Sequence, residues 1–183
     1  MIIDYDNHSH RYVMFNVKKI ALSSHLHFLK WNIFRLSSSP NTKFTYPEIF
    51  EYYSAMYMSN RYQTQFHVWK NIDKNKKKKE GFPVMDMGID VSDPHFNHIV
   101  QSKYYQANNV ITYGKLATFL STPLLTGKSV KMTLIRTEHS FINHNIQTIV
   151  ERGDLEDVIV DNEQFLHEVN EIKNEIKTKS KRP

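Results

Sequence analysis

The chain has 183 residues, a formal net charge of +5, 40% hydrophobic and 13% aromatic residues, five glycines and no cysteine. That apolar content suffices for one packed domain with an added N-terminal element, and the scarcity of glycine argues against a low-complexity chain. Disulfides, zinc–thiolate sites and a cysteine nucleophile are excluded, while the basic excess favours an anionic partner.

No apolar run approaches the roughly 18 residues of a membrane span, and the first residues carry Asp4, Asp6, His8 and His10 where an export signal would carry a basic segment and an apolar stretch. A soluble intracellular protein, cytoplasmic or nuclear and without membrane contact, is expected. Residues 1–42 read as an N-terminal extension. A helix is plausible over 24–36, where Leu26, Leu29, Ile33 and Leu36 recur at helical spacing before the break "SSSPN". "TYPEIFEYYSAMYM" predicts the next helix, with Thr45 as its cap and Pro47 in its first turn. Its tyrosines and phenylalanine fit a core better than a base-stacking platform.

"YQTQFHVWKNI" alternates as a strand, with Phe66, Val68 and Lys70 on one face and His67 and Trp69 on the other. "DKNKKKKEGFP" is a basic loop, either simply solvated or, through Lys76, Lys77, Lys78 and Lys79, a phosphate-contacting arm. Two strands follow, "MGIDVSD" and "HIVQSKYY". After them come a helix in "VITYGKLATFLS", a strand in "SVKMTLIRT", a helix in "SFINHNIQTIVERG", a short strand in "DVIVD" and an amphipathic helix in "NEQFLHEVNEIKNEIK". Residues 177–183 form a basic tail expected to fray. The interleaving predicts an α/β domain over 43–176, with a mixed sheet.

Several tempting motifs fail. "LLTGKSV" lacks the glycine a phosphate-binding loop needs, since Thr122 holds that place, and reads as a turn before a strand. The histidines of "HSH" and "HLH" do not form a zinc-binding pattern, and Ser140 beside His139 is not a nucleophile elbow.

The informative stretch is "MGIDVSDPHFNHIVQSKYY", residues 87–105. With "PHFN" as the hairpin loop, Val91 pairs with Val100 and Asp90 stands opposite Gln101, their Cβ atoms about 5 Å apart, while Gly88 faces Lys103. Side chains alternate along a strand, so Asp90, Gln101 and Lys103 gather on one face and Ile89, Val91, Val100 and Ser102 on the other. A carboxylate and an amide oxygen suit Mg²⁺ or Mn²⁺, and the ammonium suits charge developing on a phosphate. Gly88 would leave room for a substrate backbone. The plainer alternative is an Asp90–Lys103 ion pair. Tyr104 and Tyr105, beside this group, are candidate DNA contacts.

"DMGIDV…IVQSKYY" resembles the signature of the Mrr-type branch of the PD-(D/E)XK restriction-endonuclease superfamily, in the variant where glutamine replaces the second acidic residue. The resemblance extends through "ITYGKLATFL", "KMTLIRTEHSFINHNIQ" and "LEDVIVDNEQFLHEV", covering roughly residues 44–170. It implies a restriction-endonuclease-like mixed sheet flanked by helices, with an α-β-β-β-α-β core. It also implies a Mg²⁺- or Mn²⁺-dependent deoxyribonuclease, more an endonuclease than an exonuclease, in which Asp90 and Gln101 hold metal and Lys103 is the catalytic lysine. Glu51, in "IFEYY", resembles the acidic residue of the leading helix, with Glu48 as its competitor, and Asp86 matches an upstream aspartate. The neutral Gln101 removes one negative ligand. It keeps open a second expectation, a catalytically impaired DNA-binding or assembly module. DNA is the expected partner, with a homodimer or a larger replication or repair assembly as further options.

Overall fold

The computed structural model describes the backbone of residues 2–5, 11–14, 45–83 and 87–180, and the side chains of 45–83 and 87–171. The helix expected over 24–36, and Asp86, lie outside the described residues. The chain divides into two compact units, residues 1–65 with 163–183 and residues 66–162.

In the first unit, β1 (Ile2–Tyr5) and β2 (Arg11–Met14) pair antiparallel. Helix α1 (Tyr46–Tyr62) begins at Thr45, but the Thr45 hydroxyl donates to the Glu48 carboxylate at 2.9 Å instead of accepting from a backbone N–H. Pro47 occupies its first turn, and its end is marked by Gln63 in the left-handed region. Phe50, Tyr52, Tyr53, Met56 and Met58 are buried, which agrees with their reading as core. The ring of Phe165, on the final helix of the chain, meets those of Phe50 and Tyr53 edge-on, each at 5.2 Å.

The second unit is built on a five-stranded sheet. Its strands are β3 (His67–Val68), β4 (Val91–Ser92), β5 (His98–Lys103), β7 (Lys131–Thr137) and β9 (Glu156–Val160), in that spatial order. The β3–β4 and β4–β5 pairs are antiparallel, whereas β5–β7 and β7–β9 are parallel, so the expected mixed sheet is present. A second, two-stranded parallel ribbon joins β6 (Asn109–Ile111) to β8 (Ser140–Ile142). Val110 and Ile111 of β6 and all of β8 lie in segments expected to be helical. The helices start later, as α3 (Tyr113–Leu120) and α5 (His144–Glu151), each behind a cap residue, Thr112 or Asn143. The Asn143 side chain accepts from the Ile146 N–H at 3.3 Å.

Two further readings change. The strand expected in "YQTQFHVWKNI" lasts two residues before a 3₁₀ turn, Trp69–Asn71, which leaves Trp69 buried and Lys70 exposed. The basic loop is a short helix, α2 (Lys74–Lys79), because the Asp73 carboxylate accepts from the N–H groups of Asn75 and Lys76 at 2.9 and 3.0 Å. A five-residue helix α4 (Thr122–Thr126) stops at Gly127, and α6 (Asn162–Ser180) closes the chain, continuing into the segment expected to fray. Among the described residues no helix is long and apolar enough to cross a membrane.

One cluster of the core packs against the sheet. Ile99 of β5 and Leu134 of β7 cluster with Leu116 and Phe119 of α3, Ile146 of α5 and the aromatic trio Trp69, Phe82 and Phe96. Each such side chain, fully buried, contributes about 1.5–3 kcal/mol. His67, across from Ser92 at the short edge strand, has its pKa lowered first by burial and then by Lys76, against an opposing pull from Asp93. Its unfolded form therefore binds the extra proton as pH falls below about 6.5 toward the lower folded value, and stability is lost in that window. Thermal melts of wild type and His67→Gln between pH 5 and 7.5 should show a shallower acid loss in the variant.

Candidate active site

The hairpin that carries the candidate residues keeps the expected register, Val91 opposite Val100 and Ser92 opposite Ile99. Its ladder then forks. The Asp90 N–H donates to the Val100 carbonyl at 2.9 Å, although Val100 is already the partner of Val91, so the chain gains one residue against β5 at this point. The Asp90 carbonyl accepts from the Trp69 N–H at 2.7 Å, and the Asp90 carboxylate accepts from the Ser102 N–H at 2.7 Å through Oδ2. A carboxylate thus occupies the place of the next backbone carbonyl in the ladder. The extra residue shifts the alternation upstream, so Ile89 joins the Ile99–Leu134 core instead of sharing the face of Val91.

Gly88 corrects a second expectation. It does not face Lys103 across an empty space. Its backbone has φ +68°, and a Cβ placed there would sit 2.9 Å from Gln101 Nε2 and 3.6 Å from Phe119 Cβ. The missing side chain makes room for the Gln101 amide. Gln101 itself is buried, at 4% exposure, and its Oε1 has no hydrogen-bond partner among the described residues. A buried, unpartnered amide oxygen is expensive, and such atoms in folded proteins are met by water, an ion or a ligand.

Lys103 ends β5, half-buried and in parallel register with Arg136. Among the described residues no carboxylate pairs with its ammonium, so the Asp90–Lys103 ion pair weighed from sequence does not form. Asp90, Gln101 and Lys103 share the second unit, with Asp90 bonded to the residue between the other two. Glu51 is half-buried on α1 of the first unit, and Glu48 there is engaged by Thr45. Among the described residues no group of three His, Cys, Asp or Glu side chains is arranged to hold a metal ion.

The candidate DNA contacts divide. Lys76, Lys78 and Lys79 are exposed, whereas Lys77 is buried with its ammonium 4.5 Å from the Trp69 ring centroid, and its pKa is lowered first by burial and then by Lys74. Tyr105 is half-buried against the core, with the Lys115 ammonium 5.4 Å from its ring centroid. Tyr104 is also half-buried.

Two features were missed from sequence. Thr137 Oγ1 accepts from the Tyr105 N–H at 3.2 Å and donates to the Tyr105 carbonyl at 2.8 Å, which clips the exit of β5 to the end of β7. Arg136, the register neighbour of Lys103, is buried and grips Asp157 of β9 through two bonds of 2.8 Å, and it also donates to the Ser140 carbonyl. A charged residue near the end of each of two apolar strands was the available sign, but nothing in the spacing couples Arg136 to Asp157.

The sheet order, the flanking helices and a forked hairpin bearing Asp, Gln and Lys define the restriction-endonuclease-like class of α/β fold. A family model described as a restriction endonuclease matches residues 57–179, about two thirds of the chain. The chain belongs to the Mrr-type restriction endonuclease family. Membership makes it a nuclease-family domain and implies DNA as its substrate class. Neither the curated proteins nor the solved structures gave a match.

Two substitutions test this geometry. Gly88→Ala should cost roughly 1–2 kcal/mol from the left-handed backbone alone, plus displacement of the Gln101 amide, read by denaturant unfolding. Thr137→Val should cost about 1–3 kcal/mol by stranding the Tyr105 backbone groups, while Thr137→Ser should unfold close to wild type.

Proposed function

We propose that the protein is a Mg²⁺- or Mn²⁺-dependent nuclease that hydrolyses internal phosphodiester bonds of DNA, with its chemistry at the forked end of the β4–β5 hairpin. The observation that carries this reading is the buried Gln101 Oε1, without a partner among the described residues, on the residue before Ser102, whose N–H holds the carboxylate of a backbone-anchored Asp90. Hard oxygen donors of this kind fit a divalent ion that completes its shell with waters and phosphate oxygens. Asp90 and Gln101 would hold the ion. When bound, it would supply Lewis-acid polarisation of the scissile phosphate.

The chain's own groups account for the remainder. Hydrogen bonding to the Ser102 N–H aims the Asp90 carboxylate. Lys103 offers an ammonium at the end of β5 to balance negative charge growing on the phosphate, and the Thr137 clip holds the chain two residues beyond it. The exposed Lys76, Lys78 and Lys79 would grip phosphates without reading sequence.

Two observations favour a second reading, a nuclease fold that binds DNA without turnover. A neutral Gln101 and the lack of a three-residue ligand cluster among the described residues leave few negative ligands in the second unit.

Plasmid nicking with Mg²⁺ or Mn²⁺, set against chelator, separates the two. Asp90→Asn is the cleaner variant, since it keeps an oxygen for the Ser102 N–H while removing the charge. It and Lys103→Ala should each lower cleavage by at least about a hundredfold with an unchanged circular dichroism spectrum. Undiminished cutting by either variant would overturn the assignment, and metal-independent, salt-sensitive binding without products would establish the second reading.

A further inference from the structure

The β6–β8 ribbon has no part in the chemistry proposed above, yet it is fastened to the same end of the sheet. The chain leaves β5 at Lys103, is clipped by Thr137 at Tyr105, and enters β6 at Asn109, whose N–H donates to the His139 carbonyl at 3.2 Å. On the far side the Asn143 N–H returns a bond to the Ile111 carbonyl at 3.1 Å. The ribbon is therefore held at both ends.

Its outer face is apolar. Val110 and Phe141 are register partners on the two strands, so they stand side by side facing the same way, and they are 50% and 53% exposed. Ile111, the alternate residue, is fully buried, so the pattern is a half-buried ribbon presenting its hydrophobic pair outward. Tyr113, two residues beyond β6, is 46% exposed as well. Water gains nothing from such a surface, and aromatic groups set in solvent next to a binding end mark a contact site.

The charge around the pair names the occupant. Residues 103–117 contain Lys103 and Lys115 and no acidic residue, and residues 139–150 contain two histidines and no acidic residue. Glu138, between them, has its carboxylate 3.8 Å from His139. Lys115 is fixed beside the pair, donating to the Val110 carbonyl at 2.8 Å. Cations and amides framing a flat apolar pair suit a polyanion that also exposes flat apolar faces. A closed duplex hides those faces in its stack, whereas unpaired bases present them.

We propose that Val110 and Phe141 form a stacking platform for unpaired bases, so that the DNA engaged by this domain has an opened or single-stranded segment next to the bond presented to Lys103. The proposal rests on the nuclease reading for the identity of the anion, and adds the shape of the substrate.

The test measures binding in chelator, where nothing is cut, to a blunt duplex and to the same duplex bearing a single-stranded flap. Wild type should prefer the flapped DNA, and Phe141→Ala should weaken that complex about tenfold while hardly changing the blunt one, in line with one lost aromatic–base stack. Phe141→Trp should retain binding, and the fluorescence of the added tryptophan should be quenched by flapped DNA but not by blunt duplex. Equal affinity of Phe141→Ala and wild type for the flap, or an unquenched tryptophan, would overturn the platform while leaving cleavage at Asp90 intact. Failure of wild type to bind the flapped DNA would overturn the platform, whereas the nuclease reading stands or falls on metal-dependent plasmid nicking. If the wild-type protein sediments as a dimer and Phe141→Ala as a monomer, with equal DNA affinity, the pair is a self-association surface and the proposal is wrong.

Discussion

One hydrogen bond, from the Ser102 N–H to the Asp90 carboxylate, decides how the rest of the hairpin is arranged. It ends the antiparallel ladder after two pairs and makes the carboxylate the last acceptor of the strand. A backbone bond in its place would have continued the ribbon and returned Ile89 to the face of Val91. With the side chain there, the strands part, Gly88 folds over the Gln101 amide and Lys103 emerges at the end of β5. The energy of a charge-assisted bond is modest, about 1.5–3 kcal/mol, but it is spent where it sets direction as well as stability.

The remaining structure fixes the frame in which that fork sits. Parallel pairing of β5 with β7 over six register positions places Lys103 beside Arg136, and Arg136 is tied to β9 through Asp157. The Thr137 hydroxyl serves as both donor and acceptor for Tyr105, so the chain beyond the hairpin cannot drift without stranding two buried polar groups. Polar side chains do at this end of the sheet what apolar packing by Leu116, Phe119 and Ile146 does beneath it.

What could be read from sequence follows from range. The register of Val91 with Val100 was legible because apolar alternation and a four-residue loop are local facts, and the parallel strands were legible because helices separate them. The bulge at Asp90 was not, because its cause is a side chain reaching a backbone amide twelve residues away. Strands β6 and β8 were hidden inside helical patterns, since each is three residues long and exists only because the other lies beside it. The lysine run read as a loop because charge masked the aspartate cap, and one of its lysines turned inward over Trp69. Of the site, the residue types and the order along β5 were visible. That the Gln101 oxygen is buried without a partner among the described residues was not, because burial belongs to the fold.

The Arg136–Asp157 pair has a further consequence for the alignment of the outermost strand. Strand β9 closes the row of five, and its inward Val158 and Val160 with outward Ile159 already oppose a slip of one position. Sliding it by one position would present Glu156 or Val158 in place of Asp157. In the second case a guanidinium would be sealed in the interior with nothing to neutralise it, at a penalty of about 3–5 kcal/mol. The pair thereby disfavours the alignment that would set Val158 against the guanidinium.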